Sequence, residues 1–274
     1  MPTPARSSSP GGSDVRLYQQ KILITGGGSG IGLELAKALA PGNDVVIAGR
    51  DVGKLERAKD GLPTLHTRRL DVTSEDEARA AVDWMTNRLG GIDLLINAAG
   101  VLKGQAFESA ADSAITQEVA VNLLGSVRMT RVALPFLRRS DDGAVVFFSS
   151  AVALGASPGL AVYAATKAAV HSLARSLRAE LRNEVKVFDV LPPWVDTGLA
   201  RGLARTRLPA ARVVEEVVRA LRRDQFEVYI GRIKALGVMG RLAPSIADAL
   251  LARELIASPG TGSPDERHAP GRNG

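Results

Sequence analysis

The chain has 274 residues, 45% of them hydrophobic, and 35 Lys and Arg against 29 Asp and Glu give a formal net charge of +6. That is enough apolar material for one full α/β core. Cysteine is absent and the three histidines, His66, His171 and His268, are scattered, which excludes disulfides, thiolate nucleophiles and Cys-type zinc sites and leads us to expect no metal.

The positive surplus sits in separated pairs, Arg68-Arg69, Arg138-Arg139 and Arg222-Arg223, lying between acidic residues. This is the pattern of solvated surface, so no nucleic-acid partner is expected. Met1 to Ser13 is Ser/Pro/Gly-rich without the apolar stretch of a signal peptide, and the chain contains no apolar run long enough to span a bilayer. A soluble, cytoplasmic protein with no integral membrane segment is expected.

In chain order, residues 1–20 read as a flexible N-terminal tail, having few large apolar groups to repay ordering. Strands are predicted at Lys21–Ile24, Asp44–Ala48, Thr64–Leu70, Asp93–Ile96, Ala144–Phe148 and Val185–Val190, with a further edge strand at Phe226–Ile230. Most are apolar without alternation, as strands buried on both faces are. Helices are predicted between them at Ile31–Leu39, Gly53–Lys59, Glu75–Leu89, Ala114–Leu137, Tyr163–Leu181 and Ala211–Leu221, and Ser74 with Glu77 forms a capping-box signature. Ile233–Ile256, interrupted by Gly237, Gly240 and Pro244, reads as two short amphipathic helices, and residues 258–274 as a second tail. Strands alternating with helices imply right-handed crossovers, hence a single Rossmann-type α/β domain over residues 21–257, a doubly wound parallel sheet with helices on both faces.

The first predicted strand runs into Thr25-Gly26-Gly27-Gly28-Ser29-Gly30-Ile31-Gly32 and then a helix. Glycines there permit positive φ and close backbone approach, and the helix N-terminus favours a negative group, so the turn reads as a pyrophosphate cradle. Its spacing is Gly-x-x-x-Gly-x-Gly, different from the general Gly-x-Gly-x-x-Gly fingerprint. At the end of the second strand, where NAD enzymes place a carboxylate for the ribose, this chain has Gly49 and Arg50, with Asp51 following. An arginine attracts a 2′-phosphate, so NADP(H) is favoured and NAD(H) is the alternative through Asp51. Downstream, Tyr163 and Lys167 stand one helical turn apart, and Ser150 follows the predicted strand Ala144–Phe148.

These motifs resemble the short-chain dehydrogenase/reductase family over about Lys21 to Ile230. The resemblance rests on Thr25-Gly26-x-x-x-Gly30-Ile31-Gly32, on Asp71-Val72 as the adenine-contacting pair, on Asn97-Ala98-Ala99-Gly100, and on Ser150, Tyr163 and Lys167. Ala98 stands where the family has a second asparagine, so the contact of that amide is lost. Gly49-Arg50 and the lack of a glycine-rich cofactor-end motif near the C-terminus are similar to the DltE-like branch.

The resemblance implies an oxidoreductase that interconverts a carbonyl and an alcohol by hydride transfer. Tyr163 would be the general acid or base, and Lys167 would stabilise its phenolate and bond the nicotinamide ribose. Ser150 would donate to the substrate oxygen, and Asn122 would anchor a water relayed to the lysine. The cofactor-binding set it implies comprises Thr25, Gly26, Gly28, Ser29, Gly30, Ile31, Gly32, Arg50, Asp71, Val72, Asn97, Ala98, Gly100, Tyr163, Lys167, Val195 and Thr197. Pro193 replaces a glycine in the loop Leu191–Thr197, removing an N–H donor, and Trp194 is placed either to line the substrate site or to pack.

Two other readings come from different classes: a non-catalytic dinucleotide-binding sensor or scaffold, and the epimerase or dehydratase chemistry of extended relatives. A pure binding module has no use for the phenol of Tyr163, and the extended relatives carry a differently spaced glycine motif. The expected substrate is a small carbonyl or alcohol compound. The helices Ala114–Leu137 and Tyr163–Leu181 resemble the family's dimer-forming pair, with Val132, Leu134, Val170, Leu173 and Leu177 outward, so a homodimer or homotetramer is expected.

Overall fold

The computed structural model describes residues 15, 17–62, 64–104, 106–200, 207–231 and 233. The tail at 258–274 and, apart from Ile233, the helix pair expected over Ile233–Ile256 lie outside the described residues.

Seven strands, β1 (Lys21–Thr25), β2 (Asp44–Gly49), β3 (Leu65–Arg69), β4 (Leu94–Asn97), β5 (Ala144–Phe148), β6 (Lys186–Leu191) and β7 (Glu227–Tyr229), form one sheet. Their order is β3-β2-β1-β4-β5-β6-β7, and every neighbouring pair is parallel. The order reverses between β1 and β4, and at that point the carboxyl ends of the strands open a crevice. The doubly wound α/β architecture expected from the sequence is the one observed.

Pleat alternation divides each strand between two cores. Ile22 and Ile24 of β1 pack with Leu35 of α1 (Gly30–Leu39) and with Val213 and Val217 of α7 (Ala210–Leu221). Leu23 turns to the opposite face, among Val82 and Met85 of α3 (Glu75–Leu89), Met129 of α5 (Ser126–Leu137) and Val170 of α6 (Ala161–Glu180). Phe147 and Phe188 are among the fully buried side chains, and burial of each such group stabilises the fold by about 1.5–3 kcal/mol.

Four details differ from the expectations. The segment predicted as one helix, Ala114–Leu137, is α4 (Asp112–Glu118), a π-helical turn at Val119–Gly125, and then α5. Gly125, which ends the π-helical turn, lets it lie against Val72: a Cβ on it would stand 2.7 Å from Val72 Cγ2. Helix α6 begins at Ala161, so Tyr163 lies within its first turn. Val170, expected on an outward face, is 1% exposed in the core, while Val132, Leu134, Leu173 and Leu177 are partly buried against that core.

Residues 15 and 17–20, expected to belong to a flexible N-terminal tail, pack against the domain, and the rest of that segment lies outside the described residues. Val15 is buried, and its N–H donates to Leu221 O. Asn43 Nδ2 donates to Leu17 O at 3.3 Å, Gln20 N donates to Asn43 Oδ1 at 2.9 Å, and Gln19 N donates to Gly42 O at 2.6 Å. These bonds reach across from the α1–β2 turn, a contact that residue-by-residue hydropathy does not register.

Candidate active site

A cleft of about 580 Å³ opens at the carboxyl ends of β1, β4, β5 and β6. One wall is the glycine turn. Gly26 has φ +69°, and a Cβ there would lie 2.8 Å from the Ala99 backbone; only glycine adopts that conformation freely. Gly32 lets α1 approach the turn, since a Cβ would meet Gly26 O at 2.6 Å. Ser29 occupies the N-cap of α1 in extended conformation, its side chain making no capping bond, and the first turn holds no acidic residue. The first N–H groups of α1 therefore face the cleft with the positive end of the helix dipole behind them, a site for an anion.

Gly26, Ser29, Gly30, Ile31 and Gly32 line this wall, and Ala98 and Gly100 continue it from β4. Thr25 and Asn97 act behind it. Thr25 Oγ1 accepts from Ala99 N at 3.2 Å, and Asn97 Nδ2 donates to Thr130 Oγ1 at 3.1 Å. Gly28 packs on α2 (Val52–Ala58), where a Cβ would stand 3.3 Å from Lys54 Cβ. Lys54 lines the cleft and was missed in the sequence, because a single lysine at a short-helix N-terminus carries no periodic or motif signal.

Arg50, Asp71 and Val72 stand at the carboxyl ends of the neighbouring strands β2 and β3. Arg50 is exposed. Asp51 caps α2, accepting from Lys54 N at 3.0 Å and pairing with Lys54 Nζ at 3.6 Å; the backbone bond leads the effects that hold its carboxyl below the usual range. Asp71 accepts from the N–H and hydroxyl of Thr73 at 2.9 and 2.7 Å. Burial pushes Asp71 up, but those bonds and the charges of Arg50 and Arg69 outweigh it and bring it down. The expected capping box is half realised: Ser74 accepts from Glu77 N, but the Glu77 carboxylate bonds Arg69 and Asp71 N instead of returning to Ser74.

The facing wall holds Ser150, Tyr163 and Lys167. Ser150 follows β5 and caps a single 3₁₀ turn at Ala151–Leu154, its hydroxyl accepting weakly from Val152 N at 3.4 Å. Tyr163 and Lys167 project from the same face of α6 and are buried, 6% exposed each. Lys167 Nζ donates to Phe148 O at 2.8 Å and lies 5.6 Å from the Tyr163 ring centre.

Burial, aided by the Glu118 charge, drives the Tyr163 phenol well above the ordinary tyrosine range, and burial lowers Lys167 to about 8 against the pull of Asp189. Burial makes the charged form of each group costly, so the phenol rests protonated as a donor.

Asn122, in the π-helical turn, is 1% exposed. Its Oδ1 accepts from Val101 N at 2.8 Å, and its Nδ2 donates to Val101 O at 2.9 Å and to Thr166 Oγ1 at 3.2 Å. The amide thus clamps the loop after β4 to α6 with both of its N–H donors, while Oδ1 keeps a second acceptor site. Glu118, buried beside it, accepts from Lys103 N at 2.6 Å and closes the same loop. No local sequence pattern marks it.

Val195 and Thr197 line the cleft from the loop after β6, with Thr197 Cγ2 3.2 Å from where a Gly30 Cβ would stand. Leu208 N donates to Trp194 O, Asp196 N donates to Leu208 O, and Ala151 N donates to Pro192 O, tying this loop to the Ser150 turn. Trp194 packs with Tyr163, Val152 and Leu160 and also lines the cleft. Leu102, Lys103 and Leu199 complete that end.

Comparisons with known proteins agree with this geometry. A family model described as short chain dehydrogenase matches residues 20–208. The uncharacterized oxidoreductase DltE of Bacillus subtilis is 32% identical over 232 residues, covering 81% of this chain and 92% of that protein. The 11-beta-hydroxysteroid dehydrogenase 1A of Arabidopsis thaliana is 36% identical over 193 residues, covering 68% of this chain and 55% of that protein. A short chain dehydrogenase/reductase from Burkholderia phymatum, solved in complex with NAD, superposes with a TM-score of 0.78 at 25% identity, covering 85% of this chain and 96% of that one. A glycine turn at the switch point of the sheet, a Ser/Tyr/Lys wall facing it and a family match spanning both lead to one conclusion: the chain belongs to the short-chain dehydrogenase/reductase family of oxidoreductases.

Proposed function

We propose that this protein is an NADP(H)-dependent oxidoreductase that interconverts a small carbonyl compound and its alcohol. The observation that carries the reading is the placement of Ser150, Tyr163 and Lys167 across one cleft from an uncapped helix N-terminus in a glycine turn. The residues present fit a dinucleotide: a Cβ on Gly26 or Gly32 would fill the cradle, and the dipole end of α1 suits a pyrophosphate. Gly26, Ser29, Gly30, Ile31 and Gly32 would hold the phosphates, Asp71 and Val72 the adenine end, and Ala98, Gly100, Val195, Thr197 and Lys167 the nicotinamide half. The bound nicotinamide supplies or takes up the hydride.

The protein's own groups handle the proton. Tyr163, held neutral by burial, donates its hydroxyl proton to the carbonyl oxygen as the alcohol forms, and Ser150 donates a second hydrogen bond to that oxygen. Lys167, as an ammonium, steadies the phenolate left behind. Reduction therefore weakens as pH rises through about 8, where Lys167 loses its proton.

Preference for NADP(H) follows from the second strand's end. Asp51, the acid that follows Arg50 in the chain, is committed to capping α2 and to Lys54, while Arg50 stands exposed. We also read the protein as a homodimer, since Leu124 on the π-helical turn remains 46% exposed. Among the described residues no helix is long and apolar enough to cross a membrane. A panel of aldehydes, ketones and alcohols assayed with NADPH, NADH and their oxidised forms tests the proposal: turnover with the phosphorylated cofactor is expected, and a protein turning over only with NADH refutes the cofactor assignment.

A further inference from the structure

Beneath the catalytic wall lies a second polar cluster that the proton transfer above does not use. Asp189 of β6 is fully buried. Its Oδ1 accepts from Ser149 Oγ at 2.6 Å and its Oδ2 meets His171 Nδ1 at 2.5 Å. Ser149 Oγ also lies 3.2 Å from Val190 O, a second acceptor on the same strand. The carboxylate stands between the serine and the histidine, so the hydroxyl is bonded to the acid and not to the imidazole. Ser149 is therefore not an activated nucleophile.

Each end of the cluster abuts the catalytic set. Ser149 precedes Ser150 in the chain, and His171 lies one helical turn beyond Lys167, so Tyr163, Lys167 and His171 follow one another along a single face of α6. Lys167 Nζ bonds Phe148 O, the carbonyl immediately before Ser149. A buried ammonium is tolerated where an opposite charge and hydrogen bonds compensate its lost hydration. The charged and titratable groups around Lys167 are Tyr163 and His171 on its own helix, Asp189 on β6, and Glu118 on α4, whose field acts on Tyr163. Glu227, the β7 neighbour of Asp189 in the sheet, is already matched by Arg175 and Arg178.

We propose that Asp189 is a positioning residue for the catalytic wall: a buried counter-charge to Lys167, locked by Ser149 and His171, that keeps the lysine protonated and fixes where Ser150 stands. The inference rests on the reading of Ser150, Tyr163 and Lys167 as the proton-transfer set. Ser149, bonded to Asp189, directly follows Phe148, whose carbonyl holds Lys167 Nζ, and His171, the other partner of Asp189, lies one turn beyond Lys167. The Asp189 charge works against the lowering that burial imposes on Lys167, so its removal is expected to lower Lys167 further.

The test is the NMR titration of protein carrying lysine labelled at Cε, with the Lys167 signal assigned by its loss in Lys167→Met. In Asp189→Asn the Lys167 midpoint is expected to drop by about one pH unit or more, and in Ser149→Ala, which keeps the charge, to stay within a few tenths of a unit. Asp189→Ser provides a second neutral variant, with folding of each checked by thermal melting. A midpoint unchanged in whichever neutral variant folds overturns the proposal, as does loss of the fold in both, which would make Asp189 a core residue alone. The titration needs no substrate, so it separates this inference from the functional reading: absence of turnover in the wild type refutes the latter and leaves the lysine midpoint to decide the former.

Discussion

The two walls of the cleft are built by opposite means. The glycine turn works through backbone: Gly26 and Gly32 supply room that any Cβ would take away, and the groups offered are the N–H donors of an uncapped helix. The Ser150 wall works through side chains, two of which, Tyr163 and Lys167, are buried although both are ionisable. A backbone cradle costs the fold little beyond glycine's entropy. A buried lysine works against folding, because its charge has left water. The first wall should therefore resist changes of charge and fail under added bulk, and the second should fail when its ionisable groups are changed.

The largest effect follows from the lysine. Lys167 falls from 10.5 to about 8 on folding, and since each unit is worth about 1.36 kcal/mol, the ammonium costs the fold up to about 3 kcal/mol. The sign is fixed by linkage. Between those values the unfolded chain binds more protons, so the cost is absent above 10.5, grows as pH falls, and is complete below about 8. Lys167→Met is expected to abolish all but about a hundredth of the reductase rate while raising the melting temperature at neutral pH. A lower melting temperature would show that the bond to Phe148 O outweighs the desolvation.

Arg50→Ala sharpens the comparison at the cofactor end, where one side chain is asked to do what backbone cannot. A charge-assisted bond to a 2′-phosphate is worth about 1.5–3 kcal/mol, or roughly 10–150-fold in affinity. NADPH binding, followed by nucleotide fluorescence at fixed salt, is expected to weaken by that order and NADH binding to stay the same. Equal loss of both would assign specificity to Asp51 or to Lys54 instead.

The smallest change in mass probes the backbone wall. In Gly32→Ala the new methyl would stand 2.6 Å from Gly26 O, so the turn must shift, at about 1–3 kcal/mol in stability. Cofactor affinity is expected to fall about tenfold with no displacement of the pH profile. Unchanged affinity would mean that the turn does not hold the phosphates.

The same contrast explains what the sequence revealed. Apolar strands such as Leu94–Asn97 and the glycine turn carry local signatures, and the parallel sheet followed from their alternation with helices. The π-helical turn at Val119–Gly125 escaped because one extra residue in a turn leaves the apolar pattern of 114–137 almost undisturbed. The engaged state of Asn122 escaped too, since its partners Val101 and Thr166 are distant in sequence. Two signals were present and unread: Asp189, a lone acid in the apolar run Val187–Leu191, requires a partner when buried, and His171 repeats the Tyr163 to Lys167 spacing one turn further on. The raised phenol of Tyr163 was beyond reach, because it depends on how far the cleft excludes water.

The most direct measurement is a single-turnover experiment, in which NADPH-loaded protein is mixed with a carbonyl substrate from the panel and nucleotide absorbance is followed in the wild type and in Tyr163→Phe. The account predicts rapid NADPH oxidation in the wild type and a rate at least a hundredfold slower in the variant, as loss of a general acid allows, with NADPH affinity changed by less than about twofold. Equal rates in the two proteins, or tight NADPH binding with no oxidation by any carbonyl compound in either, would contradict it, the second result pointing to a dinucleotide-binding sensor.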